Sequence, residues 1–195
     1  MPFYLQCQLL SVARPPPRER LTSAGGCLGV WGALDLAVRY TDKRRTFGKK
    51  IRKYQGVNFK IADAITQLDA ARSLCYMAAR AVDENYPNVR RIVSEAKRFT
   101  TEAAWDVVNN AMQVMGGIGY TDVYPIERAL RDIRLGMIWT GTSEIMNLMI
   151  QHEYYSQVLD PAYDRRRMEN DAMNPDSSER CFTDEDMQTV FGEGL

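Results

Sequence analysis

VRRIVSEAKRFTTEAAWDVVNNAMQVM, residues 89–115, decides the fold. Its apolar positions Ile92, Ala96, Phe99, Ala103, Val107, Ala111 and Val114 recur at steps of three and four. That is the period of an α-helix with one buried face, not of a strand. The run is Ala-rich, free of proline and longer than an average globular helix. Tyr86-Pro87-Asn88 precedes it, and Gly116-Gly117-Ile118-Gly119 ends it.

Two more long stretches carry the same period. One runs from about Leu21 to Tyr40, with Leu21, Ala24, Leu28 and Trp31 in register. The other runs from Tyr54 to Val82, with Val57, Ile61, Ala64, Leu68, Ala71, Cys75, Ala78 and Val82. A shorter helix is predicted from Pro125 to about Leu135, since proline suits a first helical position. Gly141-Thr142 opens a last one through Ile145 and Met149 to Tyr155, capped by Thr142 or Ser143. No strand-period segment is of comparable strength. The expected fold is all-α, an antiparallel four-helix-type bundle of long helices joined by short connections.

Bulk composition bounds the function. With 195 residues, 45% hydrophobic and 26% charged, the chain is long enough for one well-buried domain with some tail. The 25 Lys and Arg balance 25 Asp and Glu, so no basic surplus exists for a nucleic-acid partner. No apolar run is read as long enough to span a bilayer, so no membrane span is expected. Met1–Leu10 lacks the pattern of a signal or transit peptide, which makes a cytoplasmic location the default. Cys7, Cys27, Cys75 and Cys181 are scattered and His152 is the only histidine, so neither metal nor disulfides are expected.

The ends differ from the middle. Residues 1–17, closing on Pro15-Pro16-Pro17, read as an extended linker. Residues 18–156 form the helical domain. Residues 157–195 turn polar and acidic apart from Arg165-Arg166-Arg167, as in a solvated extension or a packing arm.

Four local stretches carry chemistry, each with a plain structural alternative. Arg44-Arg45-Thr46-Phe47-Gly48 with the following Gln55 is a basic helix end that breaks at a glycine. It is either a capped turn or a guanidinium and a ring suited to a phosphate and an adenine. Gln113-Val114-Met115-Gly116-Gly117-Ile118-Gly119-Tyr120 is a helix stop, or a backbone open to close approach by a ligand. Its order, helix then glycines, is the reverse of a nicotinamide-binding turn. Tyr124-Pro125-Ile126-Glu127-Arg128, continuing to Arg131-Asp132, reads as a salt-bridged solvated face. Trp139-Thr140-Gly141-Thr142-Ser143-Glu144-Ile145 presents backbone N–H groups at a helix start, as an ordinary cap or for a polar ligand.

Together and in this order, these stretches resemble the C-terminal domain of the acyl-CoA dehydrogenases, over about Arg18 to Tyr155. The family patterns matched are R-x-T-F-G with a following Gln, Q-x-x-G-G-x-G-Y, Y-P-[IV]-E-R-x-x-R-D and G-T-[SN]-E-I. The resemblance implies FAD against this domain, an acyl-CoA thioester as substrate, a homodimer or tetramer, and an electron-transfer-flavoprotein type of acceptor. Arg44, Thr46, Phe47 and Gln55 would meet the diphosphate and adenine end. Gln113, Gly116 and Gly117 would line the same region from a second subunit, and Thr142 and Glu144 would contact the domain's own flavin.

The implied chemistry is α,β-desaturation, in which a carboxylate takes the α-proton while a hydride leaves the β-carbon for the flavin. Most relatives place that glutamate where this chain has Thr140. Some branches use a glutamate opening the first long helix in an E-R pair, here Glu19-Arg20. Glu19 is therefore the expected base, beside the plainer reading of an acid favoured by a helix N-terminus. Arg20 would help bind coenzyme A, and Trp139 and Thr140 would wall the acyl site. His152 stands where some relatives have arginine.

Relatives also carry an N-terminal helical domain and a middle β-domain, and residues 1–17 are too short for either. The expectation is a truncated or alternatively started product, or a chain completed by another polypeptide, with weak activity alone. Two other readings stand beside it: a non-catalytic helical dimerisation module, and a flavin monooxygenase relative on the same scaffold.

Overall fold

A computed structural model of the chain describes residues 17–159. Cys7, Cys181, the segment 160–195 and the linker up to Pro16 lie outside the described residues. Among the described residues seven α-helices follow one another: α1 (Pro17–Cys27), α2 (Trp31–Lys43), α3 (Gln55–Asp83), α4 (Val89–Met115), α5 (Gly117–Tyr120), α6 (Ile126–Gly136) and α7 (Ser143–Leu159). The all-α reading holds, and α4 is its axis, packing on α1, α2, α3, α5 and α6.

The α3–α4 hairpin forms the dry centre. Ala64, Leu68, Ala71, Ala78 and Ala81 of α3 face Val93, Ala96, Ala103, Ala104, Val107 and Val108 of α4, all buried. Methyl-sized side chains let two long helices approach closely while their apolar area leaves water. Asn85, with φ 52, makes the turn between them, and Tyr86 N–H closes it on the Ala81 carbonyl at 3.0 Å. Two positions read as core are not: Phe99 is 40% exposed and Trp31 48%. Trp31 instead lies under the Arg72 guanidinium, 5.4 Å from its ring centre.

The first long helix departs from its sequence reading in two ways. It begins at Pro17, which is helical rather than part of an extended linker, and it is interrupted by a 3₁₀ turn at Leu28–Val30. Gly25, Gly26, Gly29 and Gly32 crowd that interruption, where glycine lowers the cost of leaving the α-helix. Between Leu21 and Val38 only Asp35 carries a charge. As a result Pro17–Lys43 is, by length and composition alone, apolar enough to cross a membrane, with a mean hydropathy of 1.3 in its best window and 33% of that window buried. This corrects the expectation that no apolar run reaches that length. Its buried residues Ser23, Ala24, Cys27, Val30, Leu34 and Ala37 form a stripe on the bundle.

A small hairpin absent from the sequence reading joins α2 to α3. β1 (Arg45–Thr46) pairs antiparallel with β2 (Lys49–Lys50), with Thr46 opposite Lys49. Phe47 (φ 46) and Gly48 (φ 77) are both left-handed, the geometry of a two-residue turn that follows strand twist. Tyr54 Oη donates to the Thr46 carbonyl at 2.9 Å, and Lys50 Nζ reaches Asp42 at 2.9 Å. The Lys50 hydrogen bond holds the Asp42 carboxyl below the usual carboxylate range. The turn is what lifts Phe47 away from the chain.

Candidate functional site

Three walls enclose one groove of about 780 Å³. Glu19, Thr22, Ser23 and Gly26 of α1 line one side, and Asp132, Ile133 and Gly136 of α6 another. Trp139 and Thr140 close the third. The groove is mostly apolar with a few polar groups, the usual make-up of a small-molecule site. It brings together Glu19, Trp139 and Thr140, which are far apart in sequence. Glu19 is exposed on the α1 wall.

Arg20 turns the other way. It is 2% exposed, and its Nη1 donates to Ser94 Oγ of α4 at 3.3 Å. Successive positions on a helix point about 100° apart, so Glu19 on the groove sends Arg20 into the bundle. A surface role for Arg20 on coenzyme A does not fit this burial.

The loop from Met137 to Thr142 is built to hold an unusual shape. Thr140 (φ 51) and Gly141 (φ 97) are both left-handed. The φ of 97 at Gly141 favours glycine over any residue with a Cβ, which would also press on Met146 Cε at 2.6 Å. Ser143 N–H closes the loop on the Met137 carbonyl at 3.1 Å. Thr142 Oγ1 accepts from Ile145 N–H at 3.4 Å, the expected helix cap. The Thr142 hydroxyl also holds the Glu144 carboxyl below its ordinary range. Trp139 Nε1, Thr140 Oγ1 and Ser143 Oγ are buried with no hydrogen-bond partner among the described residues. Such orphaned groups are uncommon in a folded interior.

The remaining predicted positions lie on open surface. Arg44, Phe47, Gln55, Gln113, Gly116 and Gly117 are all exposed, with Phe47 at 93%. Thr46 is half-buried under the hairpin. A Cβ at Gly116 or Gly117 would meet nothing within 4 Å, which leaves that backbone open to a ligand. A guanidinium, an uncovered ring, two amides and bare backbone have the right chemistry for a phosphate-linked aromatic ligand such as FAD. The Glu127–Arg131 ion pair at 2.9 Å shows the third stretch as the salt-bridged face read from its spacing.

One residue escaped the sequence reading. Lys97 is fully buried, and its Nζ donates to the Gly141 carbonyl at 2.7 Å. The signal was present: Val93, Lys97, Thr100 and Ala104 fall at steps of four, three and four on the most buried face of α4. A lysine there breaks the apolar stripe.

Comparison with known proteins agrees with this geometry. The sequence model described as "Acyl-CoA dehydrogenase, C-terminal domain" matches residues 17–155. A benzylmalonyl-CoA dehydrogenase of Aromatoleum aromaticum is 40% identical over 138 residues, 70% of this chain and 36% of that protein. A probable acyl-CoA dehydrogenase of Mycobacterium tuberculosis is 37% identical over 119 residues, 61% of this chain and 31% of its own length. The butyryl-CoA dehydrogenase structure from Megasphaera elsdenii superposes with a TM-score of 0.67 at 36% identity, covering 69% of this chain and 35% of that one. The chain thus spans about a third of the length of these relatives. By sequence and by fold, it belongs to the acyl-CoA dehydrogenase family, through that family's C-terminal domain.

Proposed function

We propose that this chain supplies one wall of a flavin-dependent acyl-CoA dehydrogenase site, with Glu19 as the base that takes the α-proton of an acyl thioester. The observation that carries the reading is the groove itself, where Glu19 and Thr140 line the same space from different walls. The two positions at which this family keeps its carboxylate meet there, and only Glu19 carries one.

Each residue then has a physical task. Trp139 gives the acyl chain an apolar face, and Gly26 leaves room for it on the opposite wall. Thr140 lines the same wall as Trp139, where most relatives keep the carboxylate. Glu19 abstracts best when its carboxylate is stripped of water, since desolvation raises its basicity. In the described residues it is exposed, so the ligand and whatever covers the groove must exclude that water. FAD, when bound, supplies the acceptor for the β-hydride. Arg44 and Gln55 would hold its phosphate and adenine end, Phe47 and Thr46 would border it, and Gln113, Gly116 and Gly117 would do so from a second copy. Thr142 and Glu144 would meet the flavin end at the start of α7. An electron-transfer-flavoprotein type of acceptor would then reoxidise it.

The test is the visible spectrum of the protein mixed with FAD, followed anaerobically on adding a saturated acyl-CoA. Flavin absorbance that co-purifies and bleaches with the thioester supports the reading. Protein that stays colourless under saturating FAD contradicts it and favours a helical module without cofactor.

A further inference from the structure

Lys97 is the one lysine in the buried face of α4, and nothing in the proposed chemistry uses it. Burying an ammonium is costly, because the charge loses its hydration. Here burial pushes the group down from 10.5 to about 8. A methionine of similar length would fill the same space without that cost. The ammonium makes one hydrogen bond among the described residues, to the Gly141 carbonyl 44 positions along the chain.

We propose that Lys97 is the positioning residue of the groove's end wall, holding the left-handed Thr140–Gly141 pair in the arrangement that presents Trp139 and Thr140 to the groove. Left-handed φ at Thr140 is unfavourable for a side chain with a branched Cβ, so it persists only where neighbours over-determine it. Three of them do. Met146, fully buried, packs under Gly141. Ser143 N–H ties the far end of the loop to Met137. Lys97 ties the middle, through a charge-assisted hydrogen bond in a water-poor interior.

The anchor is itself held by its surroundings. Thr101 Oγ1 donates to the Lys97 carbonyl at 3.0 Å, within the turn that carries it. The charged and titratable groups acting on it are Cys27 and Arg20 from α1, Glu102 from α4 and Glu144 from α7. Glu102 and Glu144 favour the ammonium, while burial and Arg20 oppose it. The tie thus joins the helix at the centre of the bundle to the one loop that closes the groove.

This deepens the proposed function and rests on it for what the loop serves, but its test needs neither flavin nor thioester. In the full chain, Lys97→Met should leave the thermal midpoint unchanged or raise it. Backbone hydrogen exchange in residues 137–143 should meanwhile rise about tenfold or more, with residues 100–115 unaffected. Unchanged exchange in the loop, or loosening spread evenly along α4, would overturn the proposal.

A second measurement avoids reliance on that variant. With Trp31→Phe and Trp105→Phe leaving Trp139 as the sole tryptophan, acrylamide quenching should increase with a midpoint near pH 8 as the ammonium loses its proton. Quenching that stays flat from pH 7 to 9.5 would contradict the proposal even if Lys97→Met failed to fold. Success here combined with failure to load FAD would leave the latch standing and remove only its catalytic purpose.

Discussion

The α3–α4 seam and the α1–α6 groove are both lined by small residues, yet one is closed and the other open. In the seam the small residue is alanine: Ala64, Ala71, Ala78 and Ala81 on one helix and Ala96, Ala103 and Ala104 on the other are all buried. In the groove it is glycine: a Cβ placed on Gly26 or Gly29 would meet nothing within 4 Å. A methyl group there would still stand in open space, whereas in the seam the methyl groups are shut away from solvent. Gly136 marks the border between the two, since a Cβ there would stand 3.0 Å from Cys27 Sγ.

The sharpest way to break the contrast is to overfill the seam. Ala96→Leu inserts a side chain where no space exists and should cost roughly 1–3 kcal/mol in denaturant unfolding. The opposite change belongs in the groove. Gly26→Ala replaces a helical glycine with a better helix former in open space and should stabilise by about 0.5–1 kcal/mol. It should also narrow the groove and weaken any acyl ligand bound there. A loss of stability from Gly26→Ala would show that the groove wall is packed after all.

Between these in size lies a pH effect that links the two regions through Lys97. Its folded value near 8 lies below the ordinary 10.5, so between these limits the unfolded state binds more protons. Stability should therefore rise with pH from about 8 to 10.5. Cys27, whose thiol burial pushes from 9.0 up to about 11, works against it, because the folded state keeps that proton and stability falls over its window. The Lys97 contribution stands alone between pH 8 and 9. Urea unfolding across that interval should show a rise in the parent that Lys97→Met lacks. The smallest change expected is at a pair in neither region: Arg80→Ala removes the exposed ion pair to Glu84 and should leave the urea midpoint unchanged within error.

Periodicity made the long helices legible. The runs centred on Leu68 and Val107 lie on α3 and α4 as read, because an apolar stripe repeated over many turns leaves one solution. The hairpin at Arg45–Lys50 was not legible, since two-residue strands carry no period and Phe47-Gly48 is an uncommon turn pair. The break at Leu28–Val30 hid for a related reason: glycines weaken a helix without saying where it will bend. In the site, ordered motifs pointed to Glu19, Trp139 and Thr140, and the groove brings them together. They pointed equally to Arg20, which its neighbour's orientation sends into the core. Lys97 was visible only as a charge out of phase with its helix, and its target 44 residues away needed the fold.

Glu19 is proposed as the base of a groove that Thr140 lines from another wall. That role is tested most directly by moving the carboxylate, reading thioester-induced bleaching of the FAD-loaded protein. Glu19→Gln should abolish bleaching while the flavin stays bound, and adding Thr140→Glu to that variant should restore part of it. Bleaching by Glu19→Gln within a few-fold of the parent would contradict the account.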